Sequence, residues 1–200
     1  MNEIEEIERV LAEEKRGERR LLYFAALLAK KCDLRKEPFI IVGGSAIEIY
    51  TKGKYVSGDV DVVTTAKDRV CATLLEWGFS RQGRLWIRSD LGMAIDIVSD
   101  KYTGTMTLTR EISTPYGNVR VAAVEDLLVK RLASTKHWKL PNDLGQALLL
   151  LRDYRESMDM SYLRKVAQEY DVVDLLDKIL SIDRPSHVSR NDEEPNRTRD

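Results

Sequence analysis

Phe39-Ile40-Ile41-Val42 is a continuous apolar run that ends abruptly in Gly43-Gly44, after which Ala46, Ile47, Ile49 and Tyr50 return to helical spacing. A run that is apolar on both sides suits a strand covered on both faces, and a glycine pair lets the chain turn sharply out of it. Ser45 is positioned to cap that helix, which is expected to stop near Gly53. A second unit opens at Ser57-Gly58 with Asp59-Val60-Asp61-Val62-Val63-Thr64, alternating and β-rich, and leads into a helix from Lys67 to Trp77 that Gly78 closes.

Residues 84–88 and 93–99 read as two strands joined by the turn Ser89-Asp90-Leu91-Gly92, and residues 107–112 and 118–121 as a further extended pair around Pro115-Tyr116-Gly117. Before these, residues 3–31 carry apolar positions at three- and four-residue spacing, which predicts one long helix or two shorter ones. Beyond them, residues 124–134, 142–155, 161–169 and 172–180 have helical periodicity. The expected organisation is a helical segment over residues 1–37, a strand-rich unit over 38–122, a helical region over 123–182 and a disordered tail over 183–200. That tail is charged and nearly free of large apolar groups, so burial cannot offset its ordering entropy.

Composition narrows the partners. The 32 basic residues balance 33 acidic ones, a net charge of −1, which argues against a polyanion partner. Cys32 and Cys71 have no CxxC spacing and no companion histidines, as expected in a reducing compartment. The acidic N-terminus is unlike a secretory signal and no apolar stretch is long enough to span a bilayer, so the expectation is a cytoplasmic chain without membrane association. His137 and His187 are too far from each other and from any cysteine to suggest zinc.

The chemistry concentrates in three aspartates. Alternate side chains of a strand share a face, so Asp59 and Asp61 point the same way while Val60 and Val62 point into the core. Two carboxylates about 4 Å apart repel by roughly 4 kcal/mol at an effective dielectric near 20, which a hard cation such as Mg²⁺ or Mn²⁺ would relieve. Asp96 lies in Ala94-Ile95-Asp96-Ile97-Val98, an otherwise apolar strand in which a lone charge is costly unless paired or metal-bound. Its alternative is an ion pair with Arg84 or Arg88 on the neighbouring strand. Gly43 and Gly44 let backbone approach a phosphate, the following helix aims N–H groups at it, and Ser45 adds a hydroxyl. No Walker sequence or dinucleotide fingerprint follows.

Gly44-Ser45, then Asp59-Val60-Asp61, then Asp96 resembles, in that order, the nucleotidyltransferase superfamily that includes DNA polymerase β, kanamycin nucleotidyltransferase and the small prokaryotic nucleotidyltransferases. The resemblance covers residues 38–122 and implies an α/β (α+β) nucleotidyltransferase fold, a mixed sheet flanked by helices with a helical C-terminal region. It further implies transfer of a nucleoside monophosphate from an NTP to an acceptor hydroxyl on RNA, protein or a small molecule, with release of pyrophosphate. Asp59 and Asp61 would hold two ions about 3.5–4 Å apart, with Asp96 on one of them and acting as general base. Residues 124–132 look like the helix after the sheet in AbiEii-like members, which implies a place near the nucleotide for Lys130. Lys139-Leu140-Pro141-Asn142-Asp143 departs from that group's pattern. A second expectation, from another class, is a non-catalytic nucleotide-binding protein or toxin–antitoxin partner that binds another protein through its N-terminal helix.

Overall fold

The computed structural model describes residues 3–14 and 17–182; the tail expected over 183–200 lies outside the described residues. Two helices open the chain, α1 (Glu3–Glu13) and α2 (Glu18–Lys31), with Gly17 at φ +93° between them. The sheet and its helices follow as β1 (Phe39–Ile41), α3 (Gly43–Tyr50), β2 (Val60–Thr64), α4 (Lys67–Glu76), β3 (Ser80–Gln82), β4 (Leu85–Arg88), β5 (Met93–Ser99), β6 (Arg110–Thr114) and β7 (Gly117–Val121). Four more helices complete the described chain: α5 (Val124–Trp138), α6 (Pro141–Tyr154), α7 (Met160–Glu169) and α8 (Val173–Ile182).

The seven strands form one mixed sheet in the order β3-β4-β5-β2-β1-β7-β6, so the expected α/β class with a mixed sheet flanked by helices is what the chain adopts. β1 runs antiparallel to β2 and parallel to β7, while β2 and β5 run parallel with Asp61 opposite Asp96. Ile40, Ile41, Val60, Val62 and Ile95 are fully buried in these central strands, which is why the runs read as apolar on both sides. The N-terminal helices belong to the same core: Ile7, Val10 and Leu11 of α1 and Phe24, Ala25 and Leu28 of α2 are buried in it. The apolar stripe of α1 is therefore occupied within the fold. Trp77 and Trp86 are core residues, whereas Trp138 is 70% exposed. Among the described residues, no helix is long and apolar enough to cross a membrane.

Two local readings need correction. α3 begins at Gly43, and Val42, not Ser45, occupies the cap position; Ser45 lies in the first turn, and its hydroxyl donates to Val42 O at 3.0 Å. Gly43 can adopt φ +57°, and the helix starts three residues earlier than a serine cap requires. The edge strand β3, short and wholly exposed, gave no apolar alternation to detect.

A buried carboxylate joins the sheet to the C-terminal helices. Asp126, in the first turn of α5, accepts hydrogen bonds from the hydroxyls of Tyr102 and Tyr162, each at 2.7 Å, and from Thr105 N at 3.2 Å. Gly104 has no Cβ because one would collide with this carboxylate. The segment after β5 is thus fastened to both α5 and α7.

Candidate active site

The β1–α3 turn and the start of β2 bring the glycines and the carboxylates together. Gly43 sits so close to β2 that a Cβ there would stand 2.8 Å from Cγ of Asp61. That approach lets Gly44 N donate to Asp61 Oδ2 at 3.0 Å. Ser45 Oγ, buried, accepts from Asp61 N at 3.0 Å while donating to Val42 O, so its hydroxyl proton is already committed to the turn. A phosphate contact from Ser45 requires that proton to leave Val42 O. The Gly-Gly-Ser turn and the Asp-x-Asp strand are therefore one hydrogen-bonded unit.

Asp59 stands one residue before β2, with Ser57 Oγ donating to its backbone oxygen at 3.1 Å. Asp61 and Asp96 are neighbours across the parallel β2–β5 pair. Parallel neighbours at the same register project to the same face, so the pairing sets the two carboxylates side by side. Asp96 is 1% exposed, and neither of its oxygens has a partner in hydrogen-bond geometry. Arg84 Nε approaches Oδ2 at 2.9 Å, so the ion pair considered for Asp96 exists with Arg84, whose own side chain is largely exposed. Arg88 instead pairs with Glu8 and Asp90.

The electrostatics follow from this crowding. Burial first, and then the charge of Asp59, push Asp61 up to about 6, against the pull of the Gly44 N–H. Burial also raises Asp96, with the Arg84 charge opposing it. Carboxylates held above their ordinary range in a shared site mark a place built for a cation or a proton. Among the described residues, no three His, Cys, Asp or Glu side chains stand close enough together to hold a metal. The adjacent Asp61–Asp96 pair, with Asp96 Oδ1 buried and lacking a donor, nevertheless suits Mg²⁺ or Mn²⁺, which take one or two carboxylates and fill the remaining positions with water or phosphate.

Lys130 and its neighbour Arg131 diverge. Lys130 Nζ donates to Thr103 Oγ1 at 3.2 Å and lies 5.9 Å from the centre of the Tyr102 ring, and burial lowers its pKa. Arg131, not singled out from sequence, pairs with Asp143 at 3.5 Å, and its charge is the one on this helix that favours ionised Asp61. Asp143 also accepts from Gln146 Nε2 at 3.2 Å. The Lys130-Arg131 dipeptide alone could not tell what either side chain meets, because helix phase relative to distant segments is a tertiary property.

No family model and no curated protein matches the chain. Among solved structures it is similar to the solution structure of the antibiotic-resistance factor ANT(2'')-Ia, with 13% identity and a TM-score of 0.48 over 80% of this chain and 97% of that one.

Proposed function

We propose that the protein is a metal-dependent nucleotidyltransferase that moves a nucleoside monophosphate from an NTP to an acceptor hydroxyl. The observation that carries this reading is the adjacency of Asp61 and Asp96 at one register of the sheet, with the Gly43-Gly44 turn bonded directly to Asp61. A carboxylate pair next to a helix N-terminus serves both sides of phosphoryl chemistry: the acids hold cations, and the backbone N–H groups receive phosphate oxygens.

Asp61 and Asp96 would hold Mg²⁺ or Mn²⁺, with Asp59 drawn in from the start of β2 as the ion and substrate bind, and the metal would neutralise triphosphate charge and lower the barrier to attack at the α-phosphorus. Gly43, Gly44 and Ser45 would line the phosphates. Arg131 would supply positive charge to them from α5, with Lys130, the residue expected from sequence, in a supporting place beside Thr103. Asp96, held protonatable by burial, would take the proton of the acceptor hydroxyl as its oxygen attacks.

The test is labelled NTP binding and transfer with and without Mg²⁺, in wild type and in Asp59→Ala. Mg²⁺-dependent binding and transfer by wild type, with transfer lost in Asp59→Ala, is the expected result. The reading fails if wild type and variant behave alike and neither binds NTP in a Mg²⁺-dependent way.

A further inference from the structure

Beside Asp59 lies a hollow of about 480 Å³. Its floor includes Ala94, two residues before Asp96 on β5, so the hollow continues the carboxylate row along one face of the sheet. Val56 forms part of the wall and is 72% exposed, an apolar side chain left at the rim. Glu48 of α3 closes the inner side; its side chain is 3% exposed, and its Oε2 accepts from Ser57 N at 2.6 Å.

Arg20 donates to the carbonyls of Leu11, Glu14 and Leu91, tying the α1–α2 corner to the turn before β5. The volume falls within the ordinary range of small-molecule sites, about 300–1,000 Å³. Among the described lining residues, Arg20 is the one cation and its guanidinium is engaged by carbonyl oxygens, while Asp59 offers acceptor oxygens and the buried carboxyl of Glu48 lies behind it. Ligand groups that donate hydrogen bonds are matched there, and anionic ones are opposed by the neighbouring acids.

We propose that this hollow is the acceptor subsite and that the acceptor is a small, uncharged or cationic molecule rich in hydroxyl or amino groups. The proposal rests on the nucleotidyltransferase reading. One acceptor hydroxyl reaches past Asp59 to the α-phosphorus. A new O–P bond forms, the bond from the α-phosphorus to the bridging oxygen breaks, pyrophosphate leaves with that electron pair, and the hydroxyl proton passes to a site carboxylate.

The experiment incubates the full chain, Mg²⁺ and the four NTPs labelled at the α-phosphate with a cell extract divided by ultrafiltration into a low-mass filtrate and a macromolecular retentate. Label is expected on filtrate compounds. Val56→Trp, which fills the rim, and Ala94→Leu, which fills the floor, should each cut that transfer by roughly tenfold while leaving Mg²⁺-dependent NTP affinity within about twofold of wild type. Melting curves of both variants establish that they fold; because Val56 is exposed, at least one filled hollow is expected to be measurable. Label on RNA or protein of the retentate overturns the proposal, as does filtrate transfer that both folded variants leave unchanged. NTP binding by wild type with no transfer to the filtrate refutes this inference alone, whereas absence of Mg²⁺-dependent NTP binding refutes the underlying reading as well.

Discussion

Asp61→Asn should make the metal-free protein more stable at neutral pH while abolishing the proposed metal-dependent transfer. The substitution removes a charge and keeps the shape, and the amide oxygen can still accept from Gly44 N. In wild type, burial and Asp59 lift Asp61 from the ordinary 3.8 to about 6, so the native state binds this proton more tightly than the unfolded chain does. Stability contributed by the protonated form is complete below about pH 4 and is lost as pH rises through about 6. At ~1.4 kcal/mol per pH unit the full cost of the ionised group is about 3 kcal/mol. Water reaching the partly exposed carboxyl reduces this to about 1.5 kcal/mol, and for a chain of this length that is a melting difference of roughly 3–6 °C. Thermal melts without metal at about pH 4 and about pH 8 test it, with the variant above wild type at the higher pH and the gap closing at the lower. On the proposed metal site, added Mg²⁺ should raise wild type and not the variant, since an ion that binds only the native carboxylates stabilises the folded state. A variant that melts at or below wild type at the higher pH, or a gap that does not change with pH, refutes the reasoning.

Three further outcomes follow from the geometry. Gly43→Ala, at φ +57° and against the Asp61 carboxylate, should cost at least about 2 kcal/mol by denaturant melt and abolish transfer. Arg131→Met should weaken Mg²⁺–NTP binding roughly tenfold by calorimetry, more than Lys130→Met does, and the reverse order would assign the phosphate contact to Lys130. Asp126→Ala strands the hydroxyls of Tyr102 and Tyr162 and should destabilise by about 3–5 kcal/mol, with Asp126→Asn losing less; equal, small losses would show that the knot carries no such weight.

Much of the molecule was legible from local pattern. The apolar run 39–42, the Asp-x-Asp stretch and the helical periodicities after residue 123 report burial within a few residues, and strands and helices are set at that range. The helices observed over Val124–Trp138 and Met160–Glu169 differ from expectation only at their ends. The edge strand β3 escaped because neither face is buried, and the start of α3 escaped because glycine at positive φ replaced the serine cap.

By itself, the sequence determined which residue types could form a phosphate turn and a carboxylate site: a glycine pair after a buried strand, two aspartates at alternate positions and a third in an apolar strand. Only the tertiary structure decided that Asp61 lies opposite Asp96, that Ser45 ties the turn to β2, that Arg84 reaches Asp96, and that Arg131 pairs with Asp143 while Lys130 bonds Thr103. These are contacts between segments far apart in the chain, and strand register and helix phase, which set them, arise only when the faces are packed together.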